Sequence, residues 1–394
     1  MRHFSKRWLT IIAALAVLTL TGCVDNFLPT GAEITTFEIV RVVGIDKCED
    51  NPEHIEVTII AERAEEAPEE GFGEMTQEIV SATGATAFEA VTKLRSKLDK
   101  KQTFGYVDYV IFGEDAVRGD LAKYADFPAR NPEFRYSPKV FVARGGSAKE
   151  LMNETNSDDV MLVDSLNNLK SNINNRSDVK LVRYIELMNM LDRHDRATVL
   201  PAVYGRQPED EELLDGEMPD KKLAAAGYAV IRDFRLLGYF DSSSTRGYNY
   251  LTNNVKTCSY SVHDGYGGYV GLDVLSAGAK VTPRFDADGE LAGVTYTVRV
   301  GASIAEQHTL ANLQTEEYMR YLSDELSKAI EDEACAVIAK SQRLGIDCFG
   351  LGDRIKTRHP YKWRNIEDNW REVYKNLDID VVAEVAVNRV YGLR

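Results

Sequence analysis

The first 23 residues decide the surroundings in which the rest of this chain must fold. Arg2, Lys6 and Arg7 precede an uncharged run from Trp8 to Leu20, then come Thr21, Gly22 and Cys23, and the chain turns polar at Asp25 and Asn26. A basic start, a short apolar stretch and small residues at its end describe an export signal that is later removed. Crossing the hydrocarbon core takes about 20 apolar residues, and Leu9 to Leu20 supplies twelve. Residues 1–22 are therefore read as a signal peptide rather than a membrane span.

The tetrad Leu20-Thr21-Gly22-Cys23 resembles the lipobox of bacterial lipoproteins. Gly22 leaves the backbone open to a peptidase, and the Cys23 thiol is the nucleophile that takes a diacylglyceryl group as a thioether. Cys23 is thus the expected lipidation site and first residue of the mature chain. Each buried methylene contributes about 0.8 kcal/mol, so two acyl chains on one cysteine make a durable membrane anchor where one chain holds only marginally. The 394 residues carry 47 Lys+Arg against 62 Asp+Glu, a net charge of −15. A body this acidic stands off an anionic lipid surface. It also gains little from phosphate backbones, whose binding is driven by counterion release to Lys and Arg, so nucleic acid is not an expected partner.

With 44% apolar and 28% charged residues the remainder is an ordinary globular composition, long enough for two or three cores. The pattern predicts an α+β fold: a three-domain ectodomain of mixed β-sheets packed with helices, behind the lipoprotein signal peptide. The divisions are 23–150, an N-terminal α/β domain; 151–222, a mostly helical middle with an edge strand; and 223–394, a C-terminal α+β domain. Phe37 to Asp46 and His54 to Arg63 read as a hairpin. Ala85 to Leu98 reads as a helix burying Phe88, Val91, Leu94 and Leu98, and Glu114 to Asp126 as another. Thr198 to Tyr204 carries Pro201 and is placed at a sheet edge. In the last part, strands are expected at Ala224–Arg232, Leu236–Phe240, Val255–Val262, Val270–Pro283 and Leu291–Ala305. A helix of about 43 Å covers Thr315 to Arg343, a second covers Asn365 to Lys375, and Ile379 to Val390 is a closing strand.

Sites of chemistry are hard to find. No phosphate-cradling glycine loop occurs, and Gly350 with Gly352 lacks a third glycine. Mature-chain histidines at 54, 194, 263, 308 and 359 have no ligand spacing, so no metal is expected. Cys258 and His263 fall on opposite faces of one strand. Gly145-Gly146-Ser147 is not a nucleophile elbow. Asp286, Asp288 and Gly289 read as a turn rather than a calcium loop, and Asp46, Glu49 and Asp50 as a solvated loop cluster. Trp363 and Trp370 are expected in the core. Cys48, Cys258, Cys335 and Cys348 allow three pairings but read best as isolated thiols. No catalytic residue and no cofactor are expected.

Several short motifs stand in order along the chain: Gly44-Ile45-Asp46-Lys47, Gly84 to Ala90, Phe104 to Glu114, Arg130-Asn131-Pro132-Glu133 with Arg135, Gly227 to Asp241, Thr245-Arg246-Gly247, and Asp347 to Gly352 followed by Pro360, Trp363 and Trp370. Together they resemble one family: the C-subunit lipoproteins of spore nutrient-germinant receptors, the Ger(x)C proteins. The chain departs from the family at Val24, where a Trp commonly follows the cysteine, and at Ser244, where a Glu is frequent. The resemblance implies a non-catalytic subunit, lipid-anchored at the outer face of the spore inner membrane. It implies polytopic A and B subunits as partners in nutrient sensing, and a role in receptor assembly or signalling. The competing reading is a nutrient solute-binding lipoprotein whose cleft Tyr260, Tyr266 and Tyr269 would line.

Overall fold

The computed structural model describes residues 37–64, 75–156, 161–176, 179–192, 197–206, 222–307 and 315–388. The expected signal peptide over 1–22, Cys23, His194, His308 and the acidic stretches at 65–74 and 207–221 lie outside them.

Strands β1 (Phe37–Lys47), β2 (Ile55–Ala64) and β3 (Met75–Gly84) form an antiparallel meander, which contains the expected hairpin. β1 also pairs in parallel with the short β4 (Lys101–Thr103) and with β5 (Tyr109–Phe112). β5 pairs with β6 (Lys139–Ala143), and β6 with β8 (Ala197–Arg206), again in parallel. The two-residue β7 (Val182–Arg183) lies antiparallel on β6. β9 (Lys222–Arg232) and β10 (Arg235–Phe240) add an antiparallel hairpin, giving the order β10-β9-β8-β6-β5-β1-β2-β3. Tyr109-Val110-Ile111-Phe112 is buried throughout, the mark of a parallel strand covered on both faces.

One face carries α1 (Ala87–Arg95), α2 (Glu114–Gly119), α3 (Leu121–Arg130) and α6 (Tyr184–Leu191), packed on Val43, Ile45, Val57 and Ile59. The other carries α4 (Ala148–Glu154) and α5 (Leu162–Arg176), and its core runs on without interruption into the C-terminal half. That half is a four-stranded sheet in the order β11 (Cys258–His263), β12 (Tyr269–Phe285), β13 (Leu291–Gln307), β14 (Asp378–Asn388), the last strand parallel to β13. Against it lie α7 (Ser242–Leu251) and the long α8 (Glu316–Leu344), whose stripe Leu322, Leu326, Ile330, Val337 and Ile338 is buried as its spacing predicts. The short helices α9 (Leu351–Arg358), α10 (Pro360–Ile366) and α11 (Trp370–Asn376) return the chain to β14.

Several boundaries differ from the sequence reading, each for a local reason. Thr86 caps α1, its hydroxyl accepting from the Glu89 N–H. The helix so started buries Ala87, Ala90, Val91 and Leu94 and turns Phe88 outward, 69% exposed, not into the core. Asp120 ends α2 and caps α3 through Ala122, splitting the helix expected over 114–126. β8 is interior, not an edge; Pro201 is tolerated because the ladder to β9 slips between Pro201 and Val203 and pairing with β6 begins only at Ala202. β9 and β10, read with the C-terminal part, hydrogen-bond into the first sheet. The helix expected over 365–375 breaks at a 3-10 turn, Glu367–Asn369.

Candidate functional site

Of the motif residues, those of Gly84–Ala90 and Arg130–Glu133 meet at a concavity of about 620 Å³ between α1 and the end of α3. The others gather at three places, the first a cleft of about 460 Å³ outside the carboxyl ends of β1 and β6. Open α/β sheets bind ligands in this position. Asp46 is the last inward residue of β1 and is buried, not solvated with Glu49 and Asp50 as its sequence neighbourhood suggests, because the strand continues to Lys47. Its Oδ1 accepts from the Ala148 N–H at 2.7 Å and its Oδ2 from the Lys149 N–H at 3.0 Å, closing two of the orphan donors that start α4. Ser147 and Glu150 complete the end with a capping box, which is the role of the Gly-Gly-Ser turn. A methyl group at Gly113 would overlap Asp46 Oδ1 and force the carboxyl out of its place. Burial pushes the Asp46 carboxyl up to about 7, against the pull of its two backbone donors and with Glu56 and Glu150 adding to the rise.

Glu114 opens α2 beside it. Its Oε2 accepts from the Gly145 N–H at 2.7 Å and from the Tyr239 hydroxyl at 2.6 Å, and its Oε1 from Arg118 Nε at 2.9 Å. Burial raises the Glu114 carboxyl, but the three donors outweigh it and hold the group below its ordinary value. Tyr239 sits on β10, so this bond ties the far edge of the sheet to its centre; Arg144 stacks 4.6 Å over the same ring. The two carboxylates act as fasteners: Asp46 of β1 holds the start of α4, and Glu114 of α2 holds Gly145 and Tyr239 of β10. Among the described residues no three His, Cys, Asp or Glu side chains gather in a metal-holding group.

The second place is the crossing of α7 over α8. Gly247 lies against the Glu333 backbone so closely that a methyl would overlap the carbonyl oxygen. Arg246 Nε donates to Glu333 Oε1 at 2.9 Å and the Tyr260 hydroxyl to Oε2 at 2.8 Å, with the guanidinium 5.1 Å above the Tyr260 ring. Thr245-Arg246-Gly247 is thus a helix-crossing motif. Nothing in the sequence marks Glu333 as its partner.

The third is the closing motif. Asp347 is buried and accepts from the N–H groups of Leu351 at 2.9 Å and Gly352 at 2.7 Å, and from Trp370 Nε1 at 3.2 Å. A Cβ at Gly352 would stand 2.8 Å from Trp363, whose ring centre is 5.2 Å from that of Trp370. Both tryptophans are core residues, as expected.

The remaining candidates do not assemble. Tyr260 points into the core while Tyr266 and Tyr269 are 73% and 52% exposed near the β11–β12 turn, so the three line no common cleft. Cys258 faces inward and His263 outward on β11, as the alternation requires. None of Cys48, Cys258, Cys335 and Cys348 is in a disulfide. Asp286 to Gly289 is the expected turn, with Asp286 Oδ1 accepting from the Asp288 and Glu290 N–H groups.

Two family models match the chain in order: the spore germination protein N-terminal domain over residues 31–204, and the spore germination B3/GerAC-like C-terminal domain over residues 226–391. The spore germination protein KC of Bacillus subtilis (strain 168) is 23% identical over 99% of this chain and 97% of its own length. The putative spore germination protein YfkR of the same strain is 22% identical over 96% and 95%. The crystal structure of the GerBC protein superposes with a TM-score of 0.55 at 14% identity, covering 89% of this chain and 97% of that one, and shares its fold. Matched by both domain models over most of its length, the chain belongs to the Ger(x)C family of spore germination proteins.

Proposed function

We propose that this chain is the non-catalytic, lipid-anchored C subunit of a spore nutrient-germinant receptor, acting in receptor assembly or signalling beside polytopic A and B subunits. The observation that carries the reading is the pairing of two spore germination domains, in order, behind Leu20-Thr21-Gly22-Cys23. Within the described residues no helix is long and apolar enough to cross a membrane, which is compatible with attachment through an acyl tether at Cys23. The motif carboxylates support the same reading, since they are spent on holding elements together. A tether confines the body to a thin layer at the lipid surface and raises its effective concentration for membrane partners.

The test is Cys23→Ala in spores carrying only that copy. The expected outcome is a folded protein missing from the inner-membrane fraction, with germination on nutrients reduced and germination on non-nutrient triggers intact. Normal nutrient germination from that strain would refute the anchored-subunit role.

A further inference from the structure

One pocket runs against the charge of the whole molecule. In a chain of net charge −15, a concavity of about 360 Å³ is lined by Lys139, Lys170, Lys180 and Lys256 and, among the described residues, by no carboxylate. The four come from separate elements: the start of β6, α5, the segment before β7, and the segment between α7 and β11. Lys139, Lys170 and Lys180 take part in no ion pair among the described residues. Its apolar wall is Ile173, Val179 and Leu181. Burial draws the partly buried Lys139 down from its ordinary value, and Arg183 and Lys170 add to this against the pull of Glu186. Like charges gathered over a low-dielectric wall repel one another and focus a positive field into the space between them.

The other polar groups there are already used. Asn253 bonds Ala279 in both directions, and Asn254 Nδ2 donates to Thr252 Oγ1 at 2.6 Å. What remains for a ligand are the ammonium groups of Lys139, Lys170 and Lys180, compact point charges that can gather around a phosphate without the fixed planar fork that arginine imposes. The volume lies at the small end of ligand-sized sites, so it admits more than a bare anion.

We infer that this pocket binds an organic phosphate, its oxygens among Lys139, Lys170 and Lys180 and its carbon portion against Ile173, Val179 and Leu181. The site goes beyond the subunit role. Lys139 pairs in register with Tyr109, at the amino ends of β6 and β5 and so at the end of the sheet opposite the Asp46 cleft. β1 enters at that same end, at Phe37. A lipid headgroup and a soluble phosphate ester present the same chemistry there.

The experiment uses the full chain in dodecyl maltoside at low salt, titrated with glycerol 3-phosphate in a calorimeter. The expected result is saturable binding with Kd below about 1 mM, weakened roughly tenfold or more in Lys139→Gln/Lys180→Gln and in the exposed single change Lys170→Glu. The control pair Lys47→Gln/Lys280→Gln removes the same charge elsewhere and stays within about twofold of the parent. In a parallel arm, thermal unfolding is followed in micelles doped with phosphatidylglycerol or phosphatidylcholine. A rise with phosphatidylglycerol that the pocket variants abolish identifies a lipid source, and pocket-dependent binding of glycerol 3-phosphate alone identifies a soluble one. No saturable binding up to about 10 mM with no pocket-dependent rise, or equal weakening by the control pair, overturns the inference.

Discussion

A carboxyl group enclosed at the end of a strand and satisfied by two backbone N–H groups makes folding depend on pH. The folded protein holds the Asp46 proton up to about pH 7, whereas the ordinary value is 3.8. Between those limits folding takes up a proton, so the residue's contribution is complete below about pH 4, falls as pH rises toward 7 and is level above it. The gap bounds the change at about 4 kcal/mol. Denaturant unfolding of the parent and Asp46→Asn at half-unit pH steps should therefore give a difference that declines across this window. A difference that stays flat from pH 4 to 7 would mean that folding does not raise this carboxyl, its two N–H donors offsetting its burial. The sequence shows Asp46 as a polar residue near a loop; its behaviour comes from α4, which begins a hundred residues later, and from the missing side chain at Gly113.

At the scale of elements, the first sheet is fastened at both its centre and its edge by Glu114. Tyr239→Phe removes a 2.6 Å bond between β10 and α2 while keeping the ring under Arg144. The expected cost is about 1 kcal/mol of stability, together with an upward movement of the Glu114 carboxyl, since a donor that holds it down is gone. Carboxyl-carbon NMR titration reads the second effect, and an unmoved Glu114 would remove the fastening role. Hydrophobic periodicity found most of these elements, because a strand or helix with one buried face repeats at its own period. It missed β3, whose Met75-Thr76-Gln77-Glu78 start has no apolar alternation, and the short β4 and β7, which exist only through their pairing with β1 and β6. The misplacement of Phe88 follows from the cap: the Thr86 side chain fixes where α1 begins and hence which face it buries.

The whole molecule is held across its middle by the antiparallel pairing of β8 with β9 and by a core that runs from Tyr109 and Phe141 through Tyr228 and Phe240 to Leu326 and Val298. Expressed alone, residues 24–221 would expose the β8 edge and the apolar surface that Tyr228, Val230 and Phe240 cover, and an open edge templates association. Size-exclusion chromatography should show that fragment aggregated, and coexpression with residues 222–394 should return a soluble complex. A dispersed, monomeric 24–221 fragment would mean that the sheet is complete without its last hairpin.

By itself the sequence determined the acidic character of the body, the types and order of most elements, and the motifs that place the chain in its family, and it carries the proposal of an export signal ending at Cys23. Each is a local property: hydropathy, charge and residue identity survive without knowing what lies opposite. Only the tertiary structure decided that Asp46 is buried, that Glu333 answers Arg246, that β8 is interior, and that four lysines drawn from residues 139 to 256 share one concavity. These depend on distances between segments far apart in the chain, and burial and Coulomb interaction act through space, not along the backbone.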